Sequence, residues 1–175
     1  MSRRFGPVES LGRAHMLAGF DCGSAAQSAW LAAHAAQAHQ AGLSRVYVVT
    51  DGDRTQRVVG YYALAAGSVA PAQAPVRLGQ GAGRYHQPVV ILTRLGVDLS
   101  VQGMGLGRAL VVDALRRVAA AGEAIGVRAL LIHCERDKAR DFYLRLAKFE
   151  SSPTDPLHLF LLMKDLRKAL SSSRT

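Results

Sequence analysis

A glycine-rich turn joins an apolar segment to a helical segment in the second half of the chain. Residues 89–99 are rich in aliphatic and β-branched side chains, which predicts a strand buried on both faces, and from Arg108 onward the apolar spacing becomes helical. The connection, Gln102-Gly103-Met104-Gly105-Leu106-Gly107, lets the backbone approach a ligand closely. The first amides of a helix have no intrahelical partner and lie at the positive end of its dipole. Binding of a diphosphate is therefore the chemistry that this turn predicts.

Two other glycine-rich phosphate motifs fit these residues poorly. The dinucleotide fingerprint needs an acidic residue at the end of a second strand about 20 residues further on, and none is found there. The P-loop needs a Lys followed by Ser or Thr, which the turn lacks. A plain chain reversal remains the alternative to a phosphate site.

Alternating helices and strands are predicted around the turn. Helices are predicted at residues 25–40, about 105–125, 136–148 and 164–170, and strands at residues 44–50, 57–68, 89–99, 127–135 and 157–163. The Asp51-Gly52-Asp53 turn predicts an antiparallel hairpin, whereas the strand, helix, strand order after residue 89 predicts parallel pairing. Residues 69–87 lack periodicity and predict a long surface loop. Asp137 is the predicted cap of its helix, with Phe142 and Leu146 facing inward.

The positive charge of the chain is unevenly distributed. Its 175 residues contain 22 Lys and Arg against 13 Asp and Glu, a net charge of +9. From Arg54 to Val97 there is no acidic residue, whereas Arg57, Arg77, Arg84 and Arg94 lie inside that span. One side of the molecule is therefore predicted to be positive, which suits a polyanionic partner, although solvated surface charge has the same composition.

Length and cysteine content predict one domain with reduced thiols. A chain with 49% apolar residues can bury a core, so a single domain over residues 1–175 is predicted, with short flexible tails at 1–5 and 170–175. Cys22 and Cys134 are too few for a disulfide framework and form no metal-ligand pair, so no metal site is predicted. No apolar run reaches the roughly 18 residues that cross a bilayer, which predicts a cytoplasmic protein without a membrane partner.

The turn resembles the Gln/Arg-x-x-Gly-x-Gly/Ala motif by which GNAT-superfamily acyltransferases hold the pyrophosphate of acyl-coenzyme A. The order of elements, ending in a helix with Phe142-Tyr143, is similar to that family over nearly the whole chain. The resemblance implies an α/β (α+β) fold: one domain with a mixed central sheet, helices on both faces and a splayed strand pair that binds acetyl-CoA. It implies cofactor-binding roles for Leu95, Gly96, Val97, Gln102, Gly103, Met104, Gly105, Leu106, Gly107 and Arg108.

Tyr143 is the catalytic residue that the resemblance implies, as general acid to the departing coenzyme A thiolate. A phenol with an ordinary pKa near 10 is protonated at neutral pH and can donate to a thiolate. Packing of the helix against the sheet is the alternative role, and it suits Phe142 better. No general base is assignable. The chain differs from the family at Leu146-Ala147-Lys148-Phe149, where Gly-Phe is usual.

Within the superfamily, the chain is most similar to the acetyltransferase toxins of bacterial toxin-antitoxin pairs, which acetylate the amino group of aminoacyl-tRNA. The similarity rests on residues 20–23, 30–31, 59–64, 94–98, the Gln102 motif and Ser152-Pro153. It implies an aminoacyl-tRNA substrate contacted by Arg77, Arg84 and Arg94, a cognate antitoxin of the ribbon-helix-helix type, and a homodimer. Two alternatives stay open: an acetyltransferase of a small amine or protein N-terminus, and a nucleic-acid-binding module without turnover. The acid-free span favours tRNA over a small cationic amine.

Overall fold

A computed structural model of the chain describes residues 5–52 and 55–172. The strands are β1 (Glu9–Ser10), β2 (Arg45–Thr50), β3 (Val58–Val69), β4 (Gln87–Val97), β5 (Ala129–His133), β6 (Glu150–Ser151) and β7 (His158–Leu162). The helices are α1 (Ala25–Ala33), α2 (Ala35–Ala41), α3 (Val76–Gly79), α4 (Leu106–Ala124), α5 (Asp137–Leu146) and α6 (Met163–Ser172), with 3₁₀ turns at Pro71–Gln73 and Leu99–Val101.

The seven strands form a mixed sheet in the order β1-β2-β3-β4-β5-β7-β6. β4 pairs with β5 in parallel, whereas the pairs β1/β2, β2/β3, β5/β7 and β6/β7 are antiparallel. This arrangement confirms the mixed sheet of the predicted α/β fold, the hairpin of β2 and β3, and the parallel pairing that follows the glycine-rich turn. The two-residue strands β1 and β6 are too short to leave a pattern in the sequence.

The chain divides into two compact units, each made of two segments. The first unit is Met1–Ala65 with Thr93–Asp113, and the second is Ala66–Leu92 with Ala114–Thr175. None of the helices in the part of the chain that the structure describes combines the length and the apolar character of a transmembrane span.

The core of the first unit lies between α1, α2 and one face of the β2/β3 hairpin. Its buried members are Phe20, Leu31, Ala35, Val46, Val48, Val58, Tyr61 and Ala63. The Tyr61 ring packs edge-on against Phe20 and stacks on Trp30, and its hydroxyl donates to Gln27 O at 2.7 Å, which satisfies the one polar atom of the buried ring. Asp53 of the predicted turn lies outside the described residues.

The predicted helix over residues 25–40 is interrupted in the first unit. α1 ends at Ala33 and α2 begins at Ala35, with His34 between them at φ −126° and ψ −22°. The Ala-rich sequence holds no Gly or Pro here to mark the break. Ser24 caps α1, since its side chain accepts a hydrogen bond from Gln27 N.

The core of the second unit includes residues from the predicted surface loop. Val69, Ala74, Leu78, Val89, Ala129, Leu131 and Phe160 form one buried cluster. The prediction of a surface loop over residues 69–87 is therefore wrong: the segment contains the Pro71–Gln73 turn and α3, and Leu78 is 1% exposed. A four-residue helix is too short for hydrophobic periodicity, so one buried leucine anchors it without a sequence pattern.

Two helix ends in the second unit differ from prediction. Asp137 is the first residue of α5, and Arg136 occupies the cap position without a side-chain hydrogen bond. α6 continues through Ser172, although the sequence predicts a tail from residue 170. The Ser171 and Ser172 hydroxyls donate to the carbonyls of Arg167 and Lys168, one turn earlier, so these serines extend the helix.

Candidate functional site

The glycine-rich turn lies in the first unit, between the end of β4 and the start of α4. Gly103 and Gly105 have φ angles of +80° and +83°, a left-handed conformation that side chains with a Cβ rarely adopt. A Cβ built on either glycine meets no heavy atom within 4 Å, so the space beside this backbone is open. The turn therefore presents bare backbone to a ligand, as a cofactor-phosphate site requires.

The first amides of α4 suit an anion. Ala109 N donates to Gly105 O at 3.1 Å, which is the bond that opens the helix. The amides of Leu106, Gly107 and Arg108 precede that bond and therefore have no acceptor inside the helix. They lie at the positive end of a helix of 19 residues, whose dipole favours negative charge at this end. The residues present here fit the pyrophosphate of acetyl-CoA.

Gly60 on β3 sets the position of the α4 start. A Cβ on Gly60 would lie 3.1 Å from Leu110 Cδ1 and 3.2 Å from Leu106 Cδ2. Both leucines are buried. A side chain at residue 60 would therefore push these leucines, and the amides beside them, away from β3.

The end of β4 continues beyond its paired register with β5. The parallel register runs from Val89 to Leu92, whereas β4 continues to Val97. Gly96 is buried in this last stretch, and a Cβ on it would lie 3.1 Å from Tyr61 Cε1 and 3.2 Å from Cys22 Sγ. The backbone of residues 95–97 is thus held on one side by the segment that contains Cys22.

Asp98 is a site residue that the sequence interpretation missed. Its carboxylate accepts hydrogen bonds from Asp21 N (3.0 Å), Ser100 N (3.0 Å) and Ser100 Oγ (2.6 Å), and pairs with Arg57 Nη2 at 3.3 Å. Burial alone would raise the pKa of Asp98, but the hydrogen bonds from Ser100 and Asp21 and the charge of Arg57 lower it below its ordinary value. An Asp two residues before a Ser, directly after a strand, is a local capping pattern that could have revealed the Ser100 contact.

Gln102 organises the turn through its side chain. Its Nε2 donates to Cys22 O at 3.1 Å and to Val97 O at 2.9 Å, which uses both amide hydrogens. Together with Asp98, it ties residues 21–22 to the start of the glycine-rich turn. Because both amide hydrogens are already used, the contact of Gln102 with the cofactor stays a prediction.

Tyr143 lies on α5 in the second unit, among other aromatic rings. Its ring contacts Phe142 and Phe149 edge-on at centroid distances of 5.1 and 6.0 Å. Tyr143 is 6% exposed, whereas Phe142 and Leu146 are only half-buried, so Tyr143 is the inward residue in place of the predicted pair. Burial and the neighbouring Cys134 raise the pKa of Tyr143, which keeps the phenol protonated at neutral pH. Burial also raises the pKa of Cys134 to about 11, so this thiol is not a nucleophile at neutral pH.

The three predicted tRNA-contacting arginines have different surroundings. Arg77 Nη1 donates to Glu150 Oε1 at 2.6 Å and to Asp165 Oδ2 at 3.0 Å, so this guanidinium is neutralised within the second unit. Arg77 therefore has a structural role in the second unit, and its contact with tRNA phosphate stays a prediction. Arg84 is exposed in the second unit. Arg94, in the first unit, is half-buried with its guanidinium 5.4 Å from the centre of the Trp30 ring.

Comparison with known proteins identifies the family. The model of the acetyltransferase (GNAT) family matches residues 21–149. The chain belongs to the GNAT acetyltransferase family. As a member, it is an N-acetyltransferase that uses acetyl-CoA, in agreement with the first amides of α4, which have no acceptor inside the helix.

Relatives of this GNAT chain include toxins. A tRNA-acetylating toxin of Mycobacterium tuberculosis is 47% identical over 148 residues, which cover 85% of this chain and 86% of that protein. The structure of AtaT complexed with acetyl-methionyl-tRNAfMet has a TM-score of 0.85 and 29% identity, and covers 94% of this chain and 98% of AtaT. A Tyr-to-Phe variant of AtaT, bound to the C-terminus of the antitoxin AtaR and acetyl-CoA, has a TM-score of 0.79 and 27% identity, with coverages of 96% and 99%.

Proposed function

We propose that this GNAT chain is a toxin that transfers the acetyl group of acetyl-CoA to the α-amino group of an aminoacyl-tRNA and thereby blocks translation. The observation that carries the proposal is the 47% identity, over 85% of the chain, to a tRNA-acetylating toxin. The fold similarity to AtaT complexed with acetyl-methionyl-tRNAfMet supports the same substrate class. A tRNA substrate places the reaction in the cytoplasm.

Donor binding is assigned to two backbone stretches of the first unit. The amides of residues 103–108 hold the pyrophosphate, because they combine open space with the positive end of α4. The β4 backbone at Leu95, Gly96 and Val97 holds the pantetheine arm and orients the thioester. Bound acetyl-CoA supplies an activated acyl group, and fixed orientation of both reactants supplies much of the rate.

Tyr143 is assigned as the proton donor to sulfur when the carbon–sulfur bond breaks. Its raised pKa keeps the proton on Oη at neutral pH, so the donor form is fully populated. The same shift makes the phenol a weaker acid, and the proton therefore moves only as negative charge develops on sulfur.

The acceptor amine needs no dedicated base in this proposal. An α-amino group has a pKa of about 7.7 to 8.0, so a sizeable fraction is uncharged at neutral pH. Direct attack would form the bond from the amine nitrogen to the acetyl carbon as the carbon–sulfur bond breaks. The nitrogen releases one proton to water, the coenzyme A sulfur takes one from Tyr143, and water returns one to the phenolate, so the protons balance.

Arg84 and Arg94 are assigned to tRNA phosphates. Arg77 is left out of this assignment because its guanidinium already donates to Glu150 and Asp165. Both lie in the span of residues 55–97, which has no acidic residue. Cationic side chains in such a span attract a polyanion and repel a small cationic amine. This charge distribution favours the tRNA substrate over the runner-up, an acetyltransferase of a small amine or a protein N-terminus.

The proposed partners are an antitoxin of the ribbon-helix-helix type and a second copy of the chain. AtaT binds the C-terminus of its antitoxin AtaR, which supports neutralisation by a bound peptide segment. The homodimer rests on the resemblance to the toxin subgroup. Sedimentation equilibrium of the purified protein tests the dimer, and a mass of one chain would contradict it.

The test of function is incubation with labelled acetyl-CoA and a pool of charged tRNAs, with the same pool deacylated as the matched control. Label is expected on charged tRNA alone. In a parallel incubation with small amines and peptides, label on these acceptors, with none on tRNA, would establish the runner-up. Binding of tRNA without transfer would favour a module without turnover. In cells, expression is expected to arrest growth until the neighbouring antitoxin gene is co-expressed, and an unaffected culture would count against a toxin.

A further inference from the structure

The segment between α3 and β4 presents an exposed aromatic ring between two exposed basic side chains. Tyr85 is 82% exposed, and its neighbours Arg84 and His86 are also exposed. We call residues 80–86 the tip. Gly81 and Gly83 have φ angles of +77° and +66°, so the backbone of the tip turns at two positions that favour glycine.

The base of the tip is anchored on both sides by Arg128. Its Nη2 donates to Leu78 O at 2.8 Å and to Gln80 O at 3.1 Å, and its Nε donates to the Gln87 side chain at 3.1 Å. Leu78 and Gln87 are both buried. One hydrogen bond before the tip, one at its first residue and one directly after it fix the positions at which the tip leaves the unit.

The anchoring extends to α3, directly before the tip. The Arg77 guanidinium is held by Glu150 and by the buried carboxylate of Asp165. The Ser152 hydroxyl donates to Gln73 O at 2.7 Å, which ties the preceding 3₁₀ turn to the same unit. Tyr85 is therefore carried by a segment with a well-bonded base, although its own ring is left in solvent. An exposed aromatic ring beside basic side chains is the arrangement on which unpaired bases stack in single-stranded nucleic-acid binding.

The geometry points to a nucleic-acid contact at the tip, in which Tyr85 stacks on an unpaired nucleotide of the tRNA and Arg84 pairs with an adjacent phosphate. This inference rests on the proposed function and deepens it. Aromatic rings stack on the face of any base, and a guanidinium next to the ring can neutralise the backbone. The base must be unpaired, because a helical stem leaves its base faces covered by their neighbours.

The positive charge of the tip favours tRNA, and not a second copy of the chain, as its binding partner. A two-fold dimer through the tip would bring the same patch of both copies together. Arg84 would then face its own counterpart, and residues 55–97 offer no carboxylate to offset the repulsion. A polyanion meets the same surface with opposite charge.

The test compares Tyr85→Ala and Tyr85→Phe in the full-length protein, using the charged tRNA that wild type acetylates. Tyr85→Ala is expected to raise KM for that tRNA about tenfold, with kcat and the Kd for coenzyme A unchanged. Tyr85→Phe keeps the ring and is expected to retain the wild-type KM. Ile125→Ala removes another exposed apolar side chain of the second unit, which is 63% exposed, and is the control for a loss of surface area.

Salt dependence separates stacking from phosphate contact. For binding of deacylated tRNA, Arg84→Gln is expected to reduce the slope of log Kd against log salt concentration by about one, whereas Tyr85→Ala shifts Kd without changing the slope. Failure of wild type to acetylate any tRNA removes the proposed function itself. A wild type that acetylates tRNA, with Tyr85→Ala at the wild-type KM, overturns the tip contact alone. A change of oligomeric state in Tyr85→Ala assigns the tip to a second copy and also overturns it.

Discussion

The carboxylate of Asp98 accepts a hydrogen bond from the backbone N–H of Asp21 at 3.0 Å, between residues 77 positions apart in the chain. Leu99 N donates a hydrogen bond to Asp21 O at 2.8 Å, and the Gln102 side chain donates one to Cys22 O through Nε2. The segment before α1 is thereby fixed to the strand end from which the glycine-rich turn begins. The position of the glycine-rich turn, which we propose as part of the acetyl-CoA site, therefore depends on the Asp98 carboxylate. This carboxylate does not itself contact the amides of residues 103–108.

Replacing Asp98 is expected to loosen this junction. Asp98→Asn keeps the size of the side chain but removes its charge and one acceptor, so the free energy of unfolding is expected to fall by about 1–3 kcal/mol at neutral pH. Because the pKa of Asp98 is lowered in the folded state, its stabilisation is complete above the ordinary value of 3.8 and is lost as pH falls through the lowered pKa. Urea unfolding at pH 6 and pH 3 should show a difference between wild type and variant that shrinks at pH 3. A difference of the same size at both values would contradict the assigned ionisation.

The left-handed glycines of the turn give a second prediction. Gly105→Ala forces a Cβ into a φ of +83°, which costs about 1–2 kcal/mol, and also places a methyl group in the open space assigned to the pyrophosphate. Calorimetric titration is expected to show at least tenfold weaker binding of coenzyme A. Gly79→Ala is the matched control, since a Cβ on Gly79 meets nothing within 4 Å and its φ is not positive. Wild-type affinity in Gly105→Ala would remove the turn from the cofactor site.

Substitutions of Arg77 and Arg84 are expected to change different properties. Arg77→Gln changes stability, whereas Arg84→Gln changes tRNA binding. Arg77→Gln leaves Asp165 buried without its cation, so the free energy of unfolding is expected to fall, by less than for a fully buried pair because the guanidinium is partly exposed. The salt slope of tRNA binding should stay unchanged. Arg84→Gln is expected to lower that slope and leave thermal unfolding unchanged. The reverse pattern would restore Arg77 as a tRNA contact.

Local sequence patterns predicted the glycine-rich turn, but not the residues that hold it in place. The glycines and the helix start that follows them lie within a few residues of one another, so their geometry can be predicted from spacing alone. The partners of Arg77 lie 73 and 88 positions away, at Glu150 and Asp165, and no periodicity connects them. Asp98 and Asp21 are likewise 77 positions apart, and no periodicity connects them. Long-range contacts of single polar side chains depend on the tertiary fold, and that is why the sequence did not reveal the ion pairs of Arg77.

Tyr143 gives the last prediction, because its burial and its proposed role as an acid have different consequences. Tyr143→Phe keeps the ring contacts with Phe142 and Phe149 and removes only the hydroxyl, so folding and coenzyme A affinity are expected to remain close to wild type. Loss of the proton donor is expected to lower kcat for aminoacyl-tRNA by about 10²–10⁴-fold. Tyr47→Phe is the control for loss of a phenol hydroxyl elsewhere in the chain.

The pH profile of the wild type separates the acid from a packing residue. The pKa of Tyr143 is raised above its ordinary value of 10.0, so its proton remains available throughout the neutral and mildly alkaline range. The rate is therefore expected to rise as the acceptor amine loses its proton near pH 7.7 to 8.0, and to show no fall from tyrosine ionisation below about pH 10. Single-turnover rates from pH 6 to pH 10 measure both the rise from deprotonation of the amine and the absence of a fall from ionisation of the tyrosine. A wild-type kcat in Tyr143→Phe would leave Tyr143 as a packing residue, because the aromatic contacts alone would then account for its burial.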